Sequence, residues 1–595
     1  MKKVFLLLGL LFLPSCCLAV NITNSQIVSE MRVQVVEKGE INIFGNVNEV
    51  SLNLSIPQTD DYQNVESLEV FSSGLPCINS CKKSFLFDKY GNKILNIKWD
   101  NPKDNINFEV KLTVYVKRRR NVEIKKIPEF LMPTPLVQST DEEIAAIASK
   151  ARGNDFEKVS YLVKWINENI EYDKVYSNVN LSAKEILSKR RGVCDEISNL
   201  LVSFLRNLGY PSSVALGYVY PGKIYKGEKF QPHGWVEIYV GKGIIADPTW
   251  AEVGFLDATH IKFATFPDSN WVFYTIHAKG FGKFKAVLND VETNIKILDF
   301  KEEPLVRESS KLLDEKLWEG YAVVKTDIFS NYCILTKVES KSCVDSSGKE
   351  FLKNLNPEEI VYFCDNKTIF SIFKLPSNLD PGKIYSCPLS VMPYAGKQEV
   401  LNFEISPRES KKVELFVDKT SVLPGEVIHA ESKDSYIFTD FGFFAKERAE
   451  IKAPYYNFKI FAYNSGSLVW QNISVVLMKP FEVSLISNES AYIGETTPIT
   501  IEVRNNLASP QTIKIKFKGK EITFNLSDVK NYTFYFSPQN RNDNLIQVFI
   551  SSQDYSTSIS KKIEILEKKS FLDKILEALF NFFSSIFSIF DKFKL

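Results

Sequence analysis

The segment RGVCDEISNLLVSFLRNLGYPSSVALGYV, residues 191–219, is followed by HGWVEIYV at 233–240 and ADPTW at 246–250. In the first segment apolar residues recur at helical spacing from Cys194 onward, and Gly209 supplies a C-terminal stop. The second segment alternates in period two, which is typical of a strand. Together the segments predict a mixed α+β unit in which a cysteine begins a helix and a histidine begins a strand.

This arrangement places together the residue types that a nucleophilic thiol requires, namely a base within reach and a group that orients the base. At the start of a helix, backbone N–H groups and the helix dipole favour the thiolate of Cys194 and could bind an oxyanion. His233 begins one strand and Asp247 ends the following one. Asp195 and Glu196 are interpreted as first-turn residues that complement the helix dipole.

The hairpin between the two strands decides whether the base and the acid can meet. A three-residue loop at 240–242 puts Trp235 opposite Asp247, so that Asp247 shares a face with His233. Their Cβ atoms would then lie roughly 7–8 Å apart or less. A two-residue loop would put them on opposite faces. We therefore predict a three-residue loop, or a bulge with the same effect.

Each of these residues also has a simpler interpretation, as a buried cysteine, a structural histidine or an Asp-Pro turn. His260 and His277 are alternative bases, less favoured because neither lies in a strand next to an orienting acid. Trp235 and Trp250 flank the candidate triad. They could line a substrate cleft, although packing in the core is the favoured role.

The Gly-Val-Cys helix start, the His-x-Trp-x-Glu strand and Asp-Pro-Thr resemble the transglutaminase-like core, a superfamily with the papain-like thiol fold, from about residue 139 to 262. The resemblance implies that Cys194 is the nucleophile, His233 the general base and acid, and Asp247 the orienting residue. Gly234 stands where the family commonly has alanine, which leaves more room beside the histidine. The calcium-binding features of animal transglutaminases are not recognisable.

The resemblance implies attack on a peptide or carboxamide carbonyl through a thioester, with a protein or peptide as the substrate. Secreted relatives favour hydrolysis. A cross-linking acyl-transferase and a non-catalytic cell-surface binding or adhesion protein remain the alternatives. We expect no cofactor and no metal, because four histidines leave little for a histidine-built site. With 73 Lys and Arg against 72 Asp and Glu, a net charge of +1 also argues against nucleic acid as a partner.

The first residues have the pattern of a secretory signal peptide. Lys2 and Lys3 precede an apolar run at 4–13, and small residues follow. We predict cleavage after Ala19, with lipidation of Cys16 as the less favoured alternative. The mature chain is therefore expected to be secreted or displayed at the cell surface, where disulfides form.

The cysteine count predicts one free thiol. The chain has nine cysteines, and removing Cys16 and Cys17 with the signal peptide leaves an odd number, with Cys194 apart from the rest. The favoured disulfides are Cys77–Cys81, Cys333–Cys343 and Cys364–Cys387. Sequence alone does not fix this connectivity, and a fully reduced set is the alternative.

The 595 residues predict a multidomain protein, in which an α+β papain-like transglutaminase core is flanked by all-β sandwich domains. The predicted divisions are a signal peptide at 1–19, a β-sandwich at 20–126, the core at 127–285, a cysteine-containing β-rich domain at 286–410, β-sandwich-like modules at 411–480 and 481–566, and an amphipathic helix at 567–595.

The last segment has a broad aromatic face and a narrow polar face at helical spacing. Its uncharged run, residues 578–590, is too short to span a bilayer comfortably. One interpretation is a helix that lies in a membrane surface through 567–595. The other is a helix that packs on its own protein or self-associates, and the sequence favours neither.

Overall fold

The structure of the protein is a computed structural model, which describes residues 22–567 except residues 79, 178, 228, 315–319, 346, 378, 381, 403 and 406–410. The signal peptide predicted at 1–19 lies outside the described residues, as does the helix predicted at 567–595 apart from its first residue. Strands dominate the described part, which holds four α-helices. None of the helices in these ranges is long and apolar enough to cross a membrane.

The N-terminal region is built around one long strand, β1 (Val28–Ser55), in which buried residues alternate with more exposed ones. This alternation turns every second side chain toward the core. The next strands are β2 (Gln63–Ser72), β3 (Leu75–Pro76), β4 (Lys82–Phe87), β5 (Lys93–Asp100) and β6 (Ile106–Lys117). One edge of β1 pairs antiparallel with β5 and β6, so residues 93–117 run back along most of its length.

Three of the four helices precede Cys194, the candidate nucleophile, and the fourth begins at this residue. The α-helices are α1 (Glu142–Ala148), α2 (Asp155–Asn169), α3 (Ala183–Lys189) and α4 (Cys194–Asn207), with 3₁₀ turns at Ser25–Ile27, Pro128–Phe130 and Lys174–Tyr176. Asp141 caps α1 by accepting the N–H groups of Glu143 and Ile144. A side-chain cap of this kind contributes about 1 kcal/mol.

The core sheet packs against α4. Its strands are β7 (Glu171–Tyr172), β8 (Arg191–Gly192), β9 (Ser212–Val219), β10 (Gln231–Ile238), β11 (Ile244–Asp247), β12 (Glu252–Val253) and β13 (Ile261–Phe266), of which β7 and β8 form a separate pair. The order is β13-β9-β10-β11-β12. Leu200 and Phe204 of α4 pack with Val214 and Val236 of the sheet in one buried cluster. The apolar face that the sequence placed on this helix is the face that meets the sheet.

After the core, the chain returns to the N-terminal sheet. β14 (Tyr274–Leu288) and β15 (Glu292–Glu302) pair one after the other with the second edge of β1. The core is therefore an insertion between β6 and β14 of one eight-stranded sheet. The division predicted between residues 285 and 286 falls inside β14.

Residues 303–405 extend the core sheet through β12, which pairs with a long strand, β17. The strands here are β16 (Arg307–Leu312), β17 (Tyr321–Lys341), β18 (Lys353–Asn354), β19 (Glu358–Lys374), β20 (Tyr385–Ser386), β21 (Leu389–Pro393), β22 (Glu399–Leu401) and β23 (Glu404–Ile405). Because β17 and β19 run antiparallel, residues far apart in sequence lie side by side.

This antiparallel pairing corrects the predicted disulfides. The Cys77–Cys81 bond is confirmed, but the bonds predicted for Cys333–Cys343 and Cys364–Cys387 are wrong. The structure instead joins Cys333 to Cys364 and Cys343 to Cys387. Cys333 lies in β17 beside Cys364 in β19, with 4.0 Å between their Cα atoms. The wrong prediction joined cysteines that are neighbours in sequence and did not take the pairing of β17 with β19 into account.

Two further β-rich regions complete the described chain. The first contains β24 (Phe416–Val417), β25 (Ser421–Val422), β26 (Val427–Thr439), β27 (Phe444–Lys452), β28 (Phe458–Asn464) and β29 (Ser467–Val475). The second contains β30 (Phe481–Ser487), β31 (Ser490–Tyr492), β32 (Thr497–Asn505), β33 (Gln511–Phe517), β34 (Lys520–Leu526), β35 (Val529–Phe536), β36 (Leu545–Ser551), β37 (Ser556–Lys562) and β38 (Glu564–Leu566). In the second region, strands of a three-stranded and a four-stranded sheet enclose one apolar core.

Candidate active site

Cys194 is the first residue of α4, and its side chain is 8% exposed. Among the described residues it is the free cysteine, as the sequence predicted. The Glu196 carboxylate accepts the N–H of Val193 at 2.9 Å and that of Leu181 at 3.1 Å. Glu196 therefore secures the turn that leads into the helix, which agrees with its interpretation as a first-turn residue.

Close packing holds the start of α4 against β10. The Ser198 hydroxyl lies 2.8 Å from the carbonyl oxygen of Cys194 and 3.0 Å from that of Gly234. A Cβ atom on Gly234 would lie 3.2 Å from the Cα of Asp195. The helix therefore fills the space beside the histidine that the sequence expected to be open.

The hairpin between β10 and β11 has the predicted register. Ile238 pairs with Ile244, and continuing the ladder puts Trp235 opposite Asp247. Regular pairing ends at Ile238 and Ile244, so the connection between the strands, residues 239–243, is longer than the predicted three-residue loop. The register of the two strands is nevertheless the predicted one. His233 and Asp247 consequently share a face.

The imidazole of His233 joins the thiol to the carboxylate. Its Nε2 lies 2.8 Å from Oδ2 of Asp247, and the Cys194 thiol lies 4.0 Å from the carbonyl oxygen of Pro232, the residue before His233. With Nε2 directed at the carboxylate, Nδ1 is the nitrogen available to the thiol. The backbone N–H of Thr249 donates to the other carboxylate oxygen of Asp247 at 2.8 Å, which fixes the carboxylate plane.

The charges in this chain of contacts stabilise one another. Burial favours the neutral imidazole, but the negative charges of Asp247 and Cys194 outweigh it and raise the pKa of His233 to about 10. Burial likewise works against an ionised Asp247, yet the adjacent His233 lowers the pKa of Asp247 well below its usual range. A buried pair of this kind can keep the imidazolium and carboxylate charged at neutral pH.

Aromatic rings cover the site. Trp250 stacks on His233 at 5.2 Å between ring centroids, and Tyr225 stacks on Trp250 at 4.1 Å. Gln26 donates from Nε2 to the Tyr225 hydroxyl at 2.7 Å. Trp235 is fully buried and its ring lies 6.3 Å from that of His233. His233 is consequently only 7% exposed.

The structure corrects the reason for which His260 was discounted. Its Nε2 lies 3.4 Å from Oδ2 of Asp247, and its ring lies 5.6 Å from that of His233. The sequence discounted His260 because its strand does not adjoin an acid, but the turn before β13 folds it under Asp247. The Asp257-x-x-His260 spacing was the available signal. His277 lies in β14 opposite Ser51 and does not join the site.

Tyr172 was missed by the sequence. The parallel pairing of β7 with β8 sets Tyr172 beside Gly192, two residues before Cys194. Partial burial and the neighbouring Cys194 raise the pKa of Tyr172 above its ordinary value. A two-residue strand carries too short a pattern to be recognised from sequence.

Comparison with known proteins gives partial matches. An uncharacterised protein of Mycobacterium leprae (strain TN) is 25% identical over 134 residues, covering 21% of this chain and 47% of that protein. The chain thus spans about half the length of the curated relative that it matches.

Solved structures match at low similarity. One, described as a putative cysteine protease from Cytophaga hutchinsonii, is 20% identical with a TM-score of 0.33, covering 46% of this chain and 93% of that chain. Another, a 1.5-MDa bacterial ice-binding adhesin, is 10% identical with a TM-score of 0.16, covering 44% of this chain and 99% of that one.

A family model described as the transglutaminase-like superfamily matches residues 142–255. These residues include α1 to α4 and the strands that carry His233 and Asp247. Residues 142–255 of this chain are therefore a transglutaminase-like core.

Proposed function

We propose that this protein is an exported thiol enzyme that cleaves peptide or carboxamide bonds through a thioester acyl-enzyme. The observation that carries the proposal is the buried His233–Asp247 hydrogen bond next to Cys194 at the start of α4, inside a transglutaminase-like core. A thiol, a base and an orienting carboxylate in contact are the parts that nucleophilic acyl transfer requires.

In the first half of the reaction, the Cys194 thiolate attacks the substrate carbonyl carbon. The N–H groups in the first turn of α4 and the Tyr172 hydroxyl are the donors placed to stabilise the resulting oxyanion. The C–N bond then breaks as the His233 imidazolium gives its proton to the leaving nitrogen. The products are an amine or ammonia and a thioester on Cys194.

In the second half, neutral His233 takes a proton from water as the water oxygen attacks the thioester. The thiolate leaves, and the imidazolium is restored. Asp247 keeps the ring in one orientation and stabilises its charged form throughout. If a lysine amine replaces water, the same steps give cross-linking, so the acceptor alone separates hydrolase from acyl-transferase.

A non-catalytic binding protein is the second candidate, favoured by the burial of the reacting atoms. Cys194 and His233 are 8% and 7% exposed, and Tyr225 and Trp250 lie over them. A core kept only for binding would not need to open. An enzyme must open at least transiently.

Export is part of the proposal. Three disulfides are typical of proteins outside the reducing cytosol, and the first residues have the pattern of a signal peptide. We propose a secreted or cell-surface protein, attached to membranes if the segment 567–595 lies in a bilayer surface.

Thiol labelling tests the site. The full chain is treated with iodoacetamide from pH 5 to 9, and the labelled cysteine is mapped. We expect rapid labelling of Cys194 at pH 6, where an ordinary cysteine thiol with a pKa of about 8.5 is almost fully protonated. His233→Ala should abolish the rapid phase, whereas His277→Ala, on an exposed position of β14, should not.

Product analysis then distinguishes the activities. A glutamine-containing peptide library is incubated with the protein, with and without a fluorescent primary amine. Release of ammonia or peptide fragments, lost in Cys194→Ala, supports hydrolysis, and amine incorporation supports cross-linking. If Cys194 stays inert at every pH until the protein is denatured and no product forms, the enzyme proposal is wrong and the binding protein is favoured.

A further inference from the structure

A second cluster of ligand-type side chains lies next to Asp247, which pairs with Glu252 between β11 and β12. Glu252, Asp257 and His260 are 0%, 1% and 0% exposed. Each offers one atom of the kind that binds metal ions, and these atoms all lie within 4.8 Å of one another. The cluster comes from β12 and the turn that precedes β13.

The potential donor atoms of this cluster lack partners. Within the described part of the chain, no hydrogen bond reaches either carboxylate oxygen of Glu252, Oδ2 of Asp257 or Nδ1 of His260. The Nδ1 atom lies 3.5 Å from Oδ1 of Asp257, beyond the range of a good hydrogen bond. Buried polar atoms are nearly always paired, so four unpaired atoms in one place call for an occupant.

The charge of the cluster indicates which kind of occupant. Two carboxylates, Glu252 and Asp257, are buried next to the buried Asp247. Arg118 is the nearby cation: its charge acts on both Glu252 and Asp257, its Nη2 donates to the backbone carbonyls of Ile27 and Glu303, and its Nε has no partner among the described residues. One guanidinium thus serves several buried carboxylates, and a bound cation would supply the further positive charge that they need away from water.

We propose that Glu252, Asp257 and His260 bind a divalent transition-metal ion of the zinc class. The three residues supply three ligands of a four-coordinate zinc site and leave the fourth position to water. Metal–ligand bonds of about 2.0–2.2 Å keep two ligands of one ion within roughly 4.4 Å of each other, so the donors need to move little. Imidazole together with carboxylates favours Zn²⁺ or Mn²⁺ over Ca²⁺.

The orientation of His260 agrees with this assignment. With Nδ1 bound to an ion, Nε2 carries the proton and points at Asp247. Histidine ligands usually donate their second nitrogen to a carboxylate in this way. The ion would thus anchor the turn that supports Asp247 and would take no part in bond breaking. No metal site was predicted from the sequence, because that prediction considered only sites built from histidines. Sites that combine a histidine with carboxylates were not considered.

Metal content and thermal stability of the full chain test the site. Wild type, Glu252→Gln and Glu37→Gln are produced in medium supplemented with Zn²⁺ or Mn²⁺ and passed over a chelating resin. Glu37 is a matched control, because it is also fully buried with both oxygens unpaired and belongs to none of the potential cation groups of the described residues. We expect about one ion per chain in wild type and Glu37→Gln, and at least a tenfold loss in Glu252→Gln.

Thermal stability gives an independent test, because Tm of Glu252→Gln is expected to fall if wild type binds an ion and to stay unchanged or rise if it does not. Loss of an ion should lower the Tm of Glu252→Gln by several degrees. Without an ion, Glu252 is a buried protonated acid, and its amide should leave Tm unchanged or raised, as in Glu37→Gln. An unchanged or raised Tm therefore overturns the proposal. If Glu252→Gln fails to fold, metal-free wild type from both media overturns it as well.

X-ray absorption of the Zn²⁺-loaded wild type locates the ion. Nitrogen and oxygen ligands without sulfur are the expected result. Sulfur in the first shell, or loss of the ion in Cys194→Ala, would place the metal at the thiol and overturn the assignment.

Discussion

His233 and His260 contact the same carboxylate oxygen of Asp247, at 2.8 and 3.4 Å, and both are buried. They differ in what faces the second nitrogen of each ring. For His233 the neighbour is Cys194, and for His260 it is Oδ1 of Asp257, which lies 3.5 Å from Nδ1. Because Asp247 is a partner of both rings, the two histidines are distinguished by the group that lies on the other side of each ring.

Two buried glutamates show the same difference. Glu237 accepts from Lys262 at 3.0 Å and from the Tyr239 hydroxyl at 3.0 Å. Burial opposes its charge, but Lys262 lowers the pKa of Glu237 below its ordinary value. Glu252 has no such donors among the described residues, and its pKa is raised. Equal burial thus gives a charged ion pair in one place and an unsatisfied acid in the other.

The largest expected effect distinguishes the two histidines at the thiol. His233→Ala removes the proton carrier, and general acid–base groups contribute about 10²–10⁴-fold to rate. We expect losses in that range in Cys194 labelling at pH 6 and in any peptide hydrolysis. An equal loss in His260→Gln would break the comparison, because both rings would then act on the thiol.

A smaller effect is expected when the support of Asp247 is changed. His260→Gln should lower turnover by about tenfold, as is typical for partners one contact removed from the reacting groups. KM should change little, since His260 does not face the thiol. Turnover and KM are measured on the same peptide, with His277→Ala as the control. A rise in KM with unchanged turnover would contradict a positioning role.

The smallest effect concerns stability against pH. The pKa of His233 is raised to about 10 from an ordinary value near 6.5. Its stabilising contribution is therefore complete below about pH 6.5 and is lost as pH rises through about 10. Wild type should exceed His233→Gln by a few degrees in Tm at pH 6, and the gap should close by pH 11. A gap that widens with pH would reverse the assigned charge state.

Short sequence patterns were enough to predict much of the fold and of the candidate site. Contacts between segments that are far apart in sequence were not predicted. The helix start at Cys194 and the β10–β11 register are written in short segments of sequence, and the structure has them. The partner of Cys333 depends on how β17 meets β19, and the position of His260 depends on a turn that packs beneath another strand. Such contacts leave no periodic signal in one sequence.

The strands that pair with the two edges of β1 are synthesised at different times. Residues 93–117 cover one edge early, whereas the other edge waits for residues 274–302, after the entire inserted core. Until then the nascent chain presents a long unpaired edge that invites intermolecular association. Shielding this edge until residues 274–302 have been synthesised would therefore favour folding over association.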